Sequence, residues 1–103
     1  MFGPDFTSKR DVLKVVGERT REKMGTTFRT LENELWLSAD AASSHLKRLW
    51  RERLIKSEEF PSDFVEAMKL GQSIRELRFR ISRRGLERLE HWRELEEKDG
   101  WLG

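Results

Sequence analysis

Two patterns of apolar residues meet at Ser38. Leu37 ends the first pattern, and Ala42, Leu46 and Leu49 begin the second at positions i, i+4 and i+7. At about 100° per residue, these last three residues lie within about 60° of one another on a helix. The spacing therefore predicts two consecutive helices that are joined by a turn at Ser38.

The far side of the second of these helices is polar and mostly basic. It carries Asp40, Ser44, Lys47 and Arg51, with Arg48 at its flank. A short helix with a buried stripe and a small, polar, basic outer face suits insertion into the major groove of DNA. The alternative is a solvated face whose cations pair with Glu52 and neighbouring acids.

The residues before Ser38 predict two further helices and a short extended piece. We expect an arm over residues 1–7, followed by a helix that Thr7 or Ser8 caps and that runs to about Met24, where Gly25 ends it. An extended piece over Thr26–Arg29 then places Phe28 in the core. Thr30 caps the next helix, which runs over Leu31–Trp36. Ser38 or Asp40 then caps the helix described above, which ends near Arg53.

Residues 55–82 predict a β-hairpin with a long tip. Ile55–Phe60 gives the first strand, which Pro61 stops. Ile74–Ile81 gives the second strand, because apolar and charged residues alternate there: Leu77, Phe79 and Ile81 on one face, and Glu76, Arg78 and Arg80 on the other. The tip, residues 61–73, contains FVEAMKL, which either forms one or two helical turns or is mobile.

The last pattern predicts a helix over residues 83–98 that Ser82 caps. Its apolar residues, Leu86, Leu89, Trp92 and Leu95, step by three, so the stripe spans about 180°. That arc is wider than one docking face requires and favours contacts with both the domain core and a second subunit.

The chain has four tryptophans, more than so small a core comfortably buries. Trp50 and Trp92 lie either at the edge of the core or in a homodimer interface, where large aromatic residues are enriched. For the interface we select Trp92, Leu95 and Trp101.

The composition limits the classes of protein to which this chain can belong. The 103 residues support one compact domain, and the absence of cysteine excludes disulfides, thiolate metal sites and a cysteine nucleophile. No apolar run approaches the roughly 20 residues of a membrane-spanning helix. The first residues also lack the apolar stretch of a secretory signal, so we expect a cytoplasmic protein.

Positive charge is concentrated in two blocks. Residues 40–56 hold five Lys or Arg and two acids, and residues 74–84 hold five Arg and one Glu. Residues 57–73 and 85–103 each have a net charge of −3. A fold that brings the two basic blocks together favours a phosphate-bearing partner.

The chain carries no pattern that favours an enzyme. The acids of the predicted tip have no ordered spacing and indicate a solvated surface: Glu58, Glu59, Asp63 and Glu66. His45 and His91 are far apart in sequence, which does not favour a zinc site, and His45 is expected to be a partly buried side chain. We therefore expect no catalytic residue, no metal and no cofactor.

Two stretches resemble a known family. LSADAASSHLKRLWRERLI resembles a pattern of Leu-Ser, a variable capping stretch, Ser-x-His-Leu-Lys-x-Leu and a closing Leu-Ile. FRISRRGLERLEHW resembles a strand-Ser/Thr-x-x-Gly-x-x-x-Leu link between a wing and a C-terminal helix. Both are similar to the winged helix–turn–helix domain of prokaryotic and archaeal transcriptional regulators of the MarR, PadR and ArsR type, over about residues 10–98.

The resemblance implies a mainly α fold with a small β-hairpin (α+β) in one domain, in the order helix, strand, helix, turn, helix, hairpin, C-terminal helix. It implies that Ala42, Leu46 and Leu49 are core residues and that residues 55–82 form the wing. The expected DNA contacts are Ser43, Ser44, Lys47, Arg48, Arg51, Arg78, Arg80 and Arg83, with Arg75 as a further wing base. The chain departs from the family at Glu32, where a small residue is usual, and at Trp36 and Arg53, where glycine is favoured.

The leading hypothesis is a transcriptional regulator that binds a palindromic site in double-stranded DNA as a homodimer. One alternative is a winged-helix module of the transcription or replication machinery that binds protein. The other is an architectural protein that binds DNA without regard to sequence.

Overall fold

A computed structural model describes the backbone of residues 9–102 and the side chains of residues 9–95. The predicted arm at residues 1–7 and the side chain of Trp101 lie outside these ranges. The described chain is mainly helical with a small antiparallel sheet, an α+β fold as the sequence predicts. Its elements are α1 (Lys9–Arg21), β1 (Thr26–Thr27), α2 (Phe28–Leu35), α3 (Ala39–Arg51), β2 (Ile55–Ser57), α4 (Phe64–Lys69), a 3₁₀ helix (Ile74–Glu76), β3 (Arg78–Ile81) and α5 (Arg83–Leu102).

The second helix begins earlier than predicted. The Thr27 Oγ1 accepts a hydrogen bond from the Thr30 N–H at 3.2 Å, and the Thr30 Oγ1 accepts one from the Thr27 N–H at 3.2 Å. This reciprocal pair is a capping box. The helix therefore runs over Phe28–Leu35 instead of Leu31–Trp36, and Thr30 lies in its first turn instead of capping it. Phe28 is buried, as predicted, although it opens the helix.

Three helix ends are closed by residues with positive φ. Lys23, Trp36 and Arg53 have φ angles of 62°, 56° and 65°, in the left-handed region where a side chain costs roughly 1–2 kcal/mol. The first helix ends at Arg21 instead of Met24, so Gly25 does not end it. Trp36 and Arg53 keep the backbone conformation for which glycine is favoured.

The third helix matches its prediction closely. Ser38, not Asp40, is its cap, because the Ser38 Oγ accepts the Ala41 N–H at 3.2 Å. The helix ends at Arg51, and the Leu54 N–H then donates to the Leu49 carbonyl oxygen at 3.0 Å, which closes the last turn.

The central strand of the sheet is β3, in the order β1-β3-β2, and both neighbours are antiparallel to it. Phe79 lies opposite Thr26 on β1 and Ser57 on β2. The predicted alternation is confirmed: Leu77, Phe79 and Ile81 are buried, whereas Glu76, Arg78 and Arg80 are exposed.

The segment between β2 and β3 differs from a simple hairpin. β2 ends at Ser57 instead of Phe60, because the Glu59 carboxylate folds back to accept the Ser57 Oγ–H at 3.2 Å and the Arg78 N–H at 3.1 Å. Ile74–Glu76 is a 3₁₀ helix, so the second strand begins at Arg78. FVEAMKL forms the helix α4, so the helical alternative of the two predictions is the one that is observed.

The core lies between the inner face of the sheet and helices α1–α3. Ala42, Leu46 and Leu49 are fully buried at 0% exposure, as predicted. Trp50 is 2% exposed and packs edge-on against Phe79, with 5.0 Å between ring centroids. Trp50 is therefore a core residue, and the alternative that places it in a homodimer interface is wrong.

The first turn of α5 packs directly on the end of α3. Ser82 caps this helix as predicted, because its Oγ accepts the Gly85 N–H at 3.0 Å and donates to the Arg53 carbonyl oxygen at 2.6 Å. A Cβ at Gly85 would overlap the Leu54 carbonyl oxygen and lie 2.6 Å from the Ile81 Cγ1. Only glycine fits at this contact.

We expect Gly85→Ala to lower the free energy of unfolding by roughly 1–3 kcal/mol or more, because the added methyl group forces backbone apart at a packed contact. Urea denaturation followed by circular dichroism measures the change. The adjacent, exposed Arg84→Ala is the matched control and should have little effect. Equal stability of the two variants would contradict this packing argument.

We expect Trp36→Gly to raise the free energy of unfolding by up to about 1 kcal/mol, because glycine relieves the left-handed strain. Trp36 is 80% exposed, so little burial is lost. Thermal unfolding compares this variant with Trp36→Val, whose branched side chain is more strained at positive φ and should destabilise the protein. The opposite order of stability would refute the prediction.

Candidate nucleic-acid interface

The outer face of α3 is the side opposite its buried stripe. Ser44, Lys47, Arg48 and Arg51 are exposed there, together with Asp40 in the first turn, and Ser43 is half-buried beside them. The helix begins immediately after the turn at residues 36–38. The structure thus brings five of the eight predicted contact residues onto one helical face.

Glu52, the acid that could pair with the cations of this face, does not neutralise them. The Glu52 carboxylate pairs instead with the Lys9 Nζ of α1 at 2.9 Å. Within residues 9–95, Lys47 and Arg48 take part in no ion pair. Their charges therefore face solvent, where they can attract an anion.

The short helix α4 borders the last turn of α3. The Arg51 guanidinium lies 5.3 Å from the centroid of the Phe64 ring, and the Trp50 ring meets the same ring at 5.4 Å. The Trp50 Nε1–H also donates to the Ser62 carbonyl oxygen at 2.7 Å. The segment after β2 is therefore folded against the C-terminal end of α3, and Ser44 and Lys47 stay open.

Arg78 and Arg80 lie on a different surface. They point to the outer face of the sheet, because Phe79 between them points inward and touches Trp50 of α3. Lys56 lies directly opposite Arg80 on the same outer face. The sheet therefore separates these bases from the cations of α3.

Lys56 was missed by the sequence reasoning. Its place beside Arg80 follows from the strand register, which no spacing rule predicts across the long segment between β2 and β3.

Two further arginines occupy separate positions. Arg75 of the 3₁₀ helix places its guanidinium 5.0 Å from the centroid of the Phe28 ring, at the start of α2. Arg83 begins α5 and lies 3.8 Å from the Glu87 carboxylate, with its side chain 94% exposed. An ion pair this exposed contributes little to stability.

The terminal helices form a second notable region. α5 packs on α1 where Gly17 leaves space for Leu89, and a cleft of about 620 Å³ lies beside this contact. Trp92 is half-buried under the Arg88 guanidinium, 5.8 Å from the ring centroid. Leu95 is 45% exposed. Of the proposed interface residues, Trp92 is thus partly in the core and Leu95 is available at the surface.

The acids between β2 and β3 are exposed, as predicted, and two of them also hold the local structure. Asp63 caps α4 by accepting the Val65 N–H at 3.1 Å, and Glu59 holds the turn after β2 as described above. Both have structural roles. His45 is half-buried on α3, as predicted.

The described part of the chain contains no group of three or more His, Asp or Glu side chains placed to hold a metal ion. Over the same residues, no helix is long and apolar enough to span a membrane. Comparisons with protein families, with curated proteins and with solved structures give no match for this chain.

Proposed function

We propose that this α+β fold is a winged helix–turn–helix domain that binds double-stranded DNA through α3. The observation that carries the proposal is the outer face of α3, where Lys47 and Arg48 have no acidic partner among the described residues. The order of the elements, with a short turn between α2 and α3 and a strand pair after α3, agrees with the family that the sequence resembles.

In this proposal α3 lies in the major groove. Lys47, Arg48 and Arg51 contact phosphates and release counterions, which makes the affinity depend on salt. Ser43 and Ser44 are short enough to let the helix approach base edges, and their hydroxyl groups hydrogen-bond to several bases. Most of the identifiable binding energy therefore comes from contacts with the phosphate backbone of the DNA, and the serines supply the contacts to bases.

We expect Lys47→Ala/Arg48→Ala to weaken binding to duplex DNA at least about tenfold near physiological salt, and to lower the slope of log affinity against log salt by about 2, because two phosphate contacts are lost. Fluorescence anisotropy at several salt concentrations, on a duplex selected from a random pool, measures both quantities.

The control variant for this experiment is Arg21→Ala/Lys69→Ala, which removes the same charge from α1 and α4. Its affinity should stay close to that of the original chain. Failure of the original chain to bind any duplex at low salt would overturn the proposed function.

A protein-binding module is the second candidate. The observation that favours it is the exposure of apolar side chains around α4, where Phe60, Val65 and Leu70 are 89%, 54% and 64% exposed. Such a module would keep its activity in the Lys47→Ala/Arg48→Ala variant.

We also propose that two copies associate through α5, around Trp92 and Leu95. Leu95 is an exposed apolar residue on a helix whose other side is occupied by α1. A two-fold axis there would present two α3 helices to successive turns of one DNA face, about 34 Å apart, and so imply a palindromic site.

We expect Leu95→Glu to convert the dimer into a monomer, because a twofold interface buries two like charges in place of two leucines. Light scattering measures the mass over a range of concentrations. Leu70→Glu, at a similarly exposed position on the α4 side, should remain dimeric. A monomeric mass for the original chain at every concentration would contradict the dimer.

A further inference from the structure

The outer face of the sheet is a second basic surface. Arg78 and Arg80 of the central strand and Lys56 of β2 all lie on it, and Glu58 follows β2 beside Arg78, to whose carbonyl oxygen its N–H donates at 2.8 Å. Thr27 of β1 completes the face opposite Arg78. Three cations therefore share this surface with Glu58, and Glu76 lies before β3 on the same side of the alternation.

Two of these cations oppose each other across the strands. Lys56 and Arg80 are direct partners in the register of β2 and β3. Like charges in this position destabilise a sheet. Within residues 9–95, neither of them nor Arg78 forms an ion pair. The sheet thus holds an electrostatic repulsion that a bound polyanion would relieve.

This surface does not face the same way as the outer face of α3. The direction from α3 to the sheet is marked by Trp50, which touches the inner side of Phe79. At about 100° per residue, Ser44, Arg48 and Arg51 lie about 120°, 160° and 100° away from Trp50 around the helix. Lys47 lies about 60° away from it. Arg80 points away from α3 on the far side of the sheet, so the outer face of the sheet and the outer face of α3 point in different directions.

We propose that the outer face of the sheet binds the phosphate backbone of a second DNA duplex, so that one chain connects two DNA segments. The proposal rests on duplex binding by α3, and it replaces the expectation that Arg78 and Arg80 contact the same duplex as α3. Binding at this surface is independent of sequence, because arginine and lysine on a flat sheet reach phosphates and no element enters a groove.

The composition of the surface favours this partner over others. None of the strand residues of this face is aromatic, so the strands offer no ring on which bases of a single strand could stack. The strand residues of the face include no apolar side chain either, whereas interfaces with folded proteins have an apolar centre. A regular row of phosphates requires only the cations that are present.

The test is a two-duplex capture experiment with the full chain. Protein is bound to a duplex that is fixed to beads and contains the selected site, unbound protein is removed, and a labelled duplex of unrelated sequence is added. The variants are Arg78→Thr/Arg80→Thr, Lys47→Ala/Arg48→Ala and the control Arg21→Ala/Lys69→Ala. Threonine is chosen because it favours β-strands.

We expect the original chain and the control to retain the labelled duplex. We expect Arg78→Thr/Arg80→Thr to bind the fixed duplex within about twofold of the original affinity and to retain at least about tenfold less labelled duplex, since its phosphate contacts are lost.

Full retention by Arg78→Thr/Arg80→Thr would overturn the inference and assign the second duplex to the α3 helix of a partner copy. Binding of the fixed duplex without retention of the labelled one by the original chain would overturn it also, and the proposed function would stand. In a parallel capture, labelled polyglutamate takes the place of the labelled duplex. Retention of polyglutamate without retention of the duplex would overturn the inference in favour of an acidic protein. Failure to bind the fixed duplex at all would instead refute the proposed function.

Discussion

The separation of the two basic surfaces depends on the contact between Trp50 and Phe79. The Trp50 indole leaves α3, meets the central strand edge-on, and donates its Nε1–H to the Ser62 carbonyl oxygen beyond β2. This side chain therefore packs α3 on the inner face of β3 and holds the start of α4. Because Phe79 must face Trp50, Arg78 and Arg80 must face away.

The parts of the fold that were predictable depend on local spacing. The stripe of Ala42, Leu46 and Leu49, the caps at Ser38 and Ser82, and the alternation along β3 are all determined by neighbours within about one helical turn or a few strand residues. The two basic blocks are equally visible in the sequence.

The parts that were not predictable depend on partners far apart in the chain. Thr26 pairs with Phe79, and no local sequence pattern predicts that pairing. The same is true of the Glu59 carboxylate that ends β2 by bonding to Arg78, and of Lys56, whose neighbour Arg80 is set by register. The sequence located the basic residues, whereas their division between two surfaces required the sheet to be known.

The central position of β3 has a consequence for how the chain is made. β1 and β2 flank β3, which comes after both in sequence, and they are not paired with each other. During synthesis from the N-terminus, no strand of the sheet can pair until Arg78–Ile81 has left the ribosome. Until then the surface of α1 that packs on β3 is uncovered and Trp50 of α3 lacks its contact with Phe79. This apolar surface is therefore exposed to association with other chains until β3 has emerged.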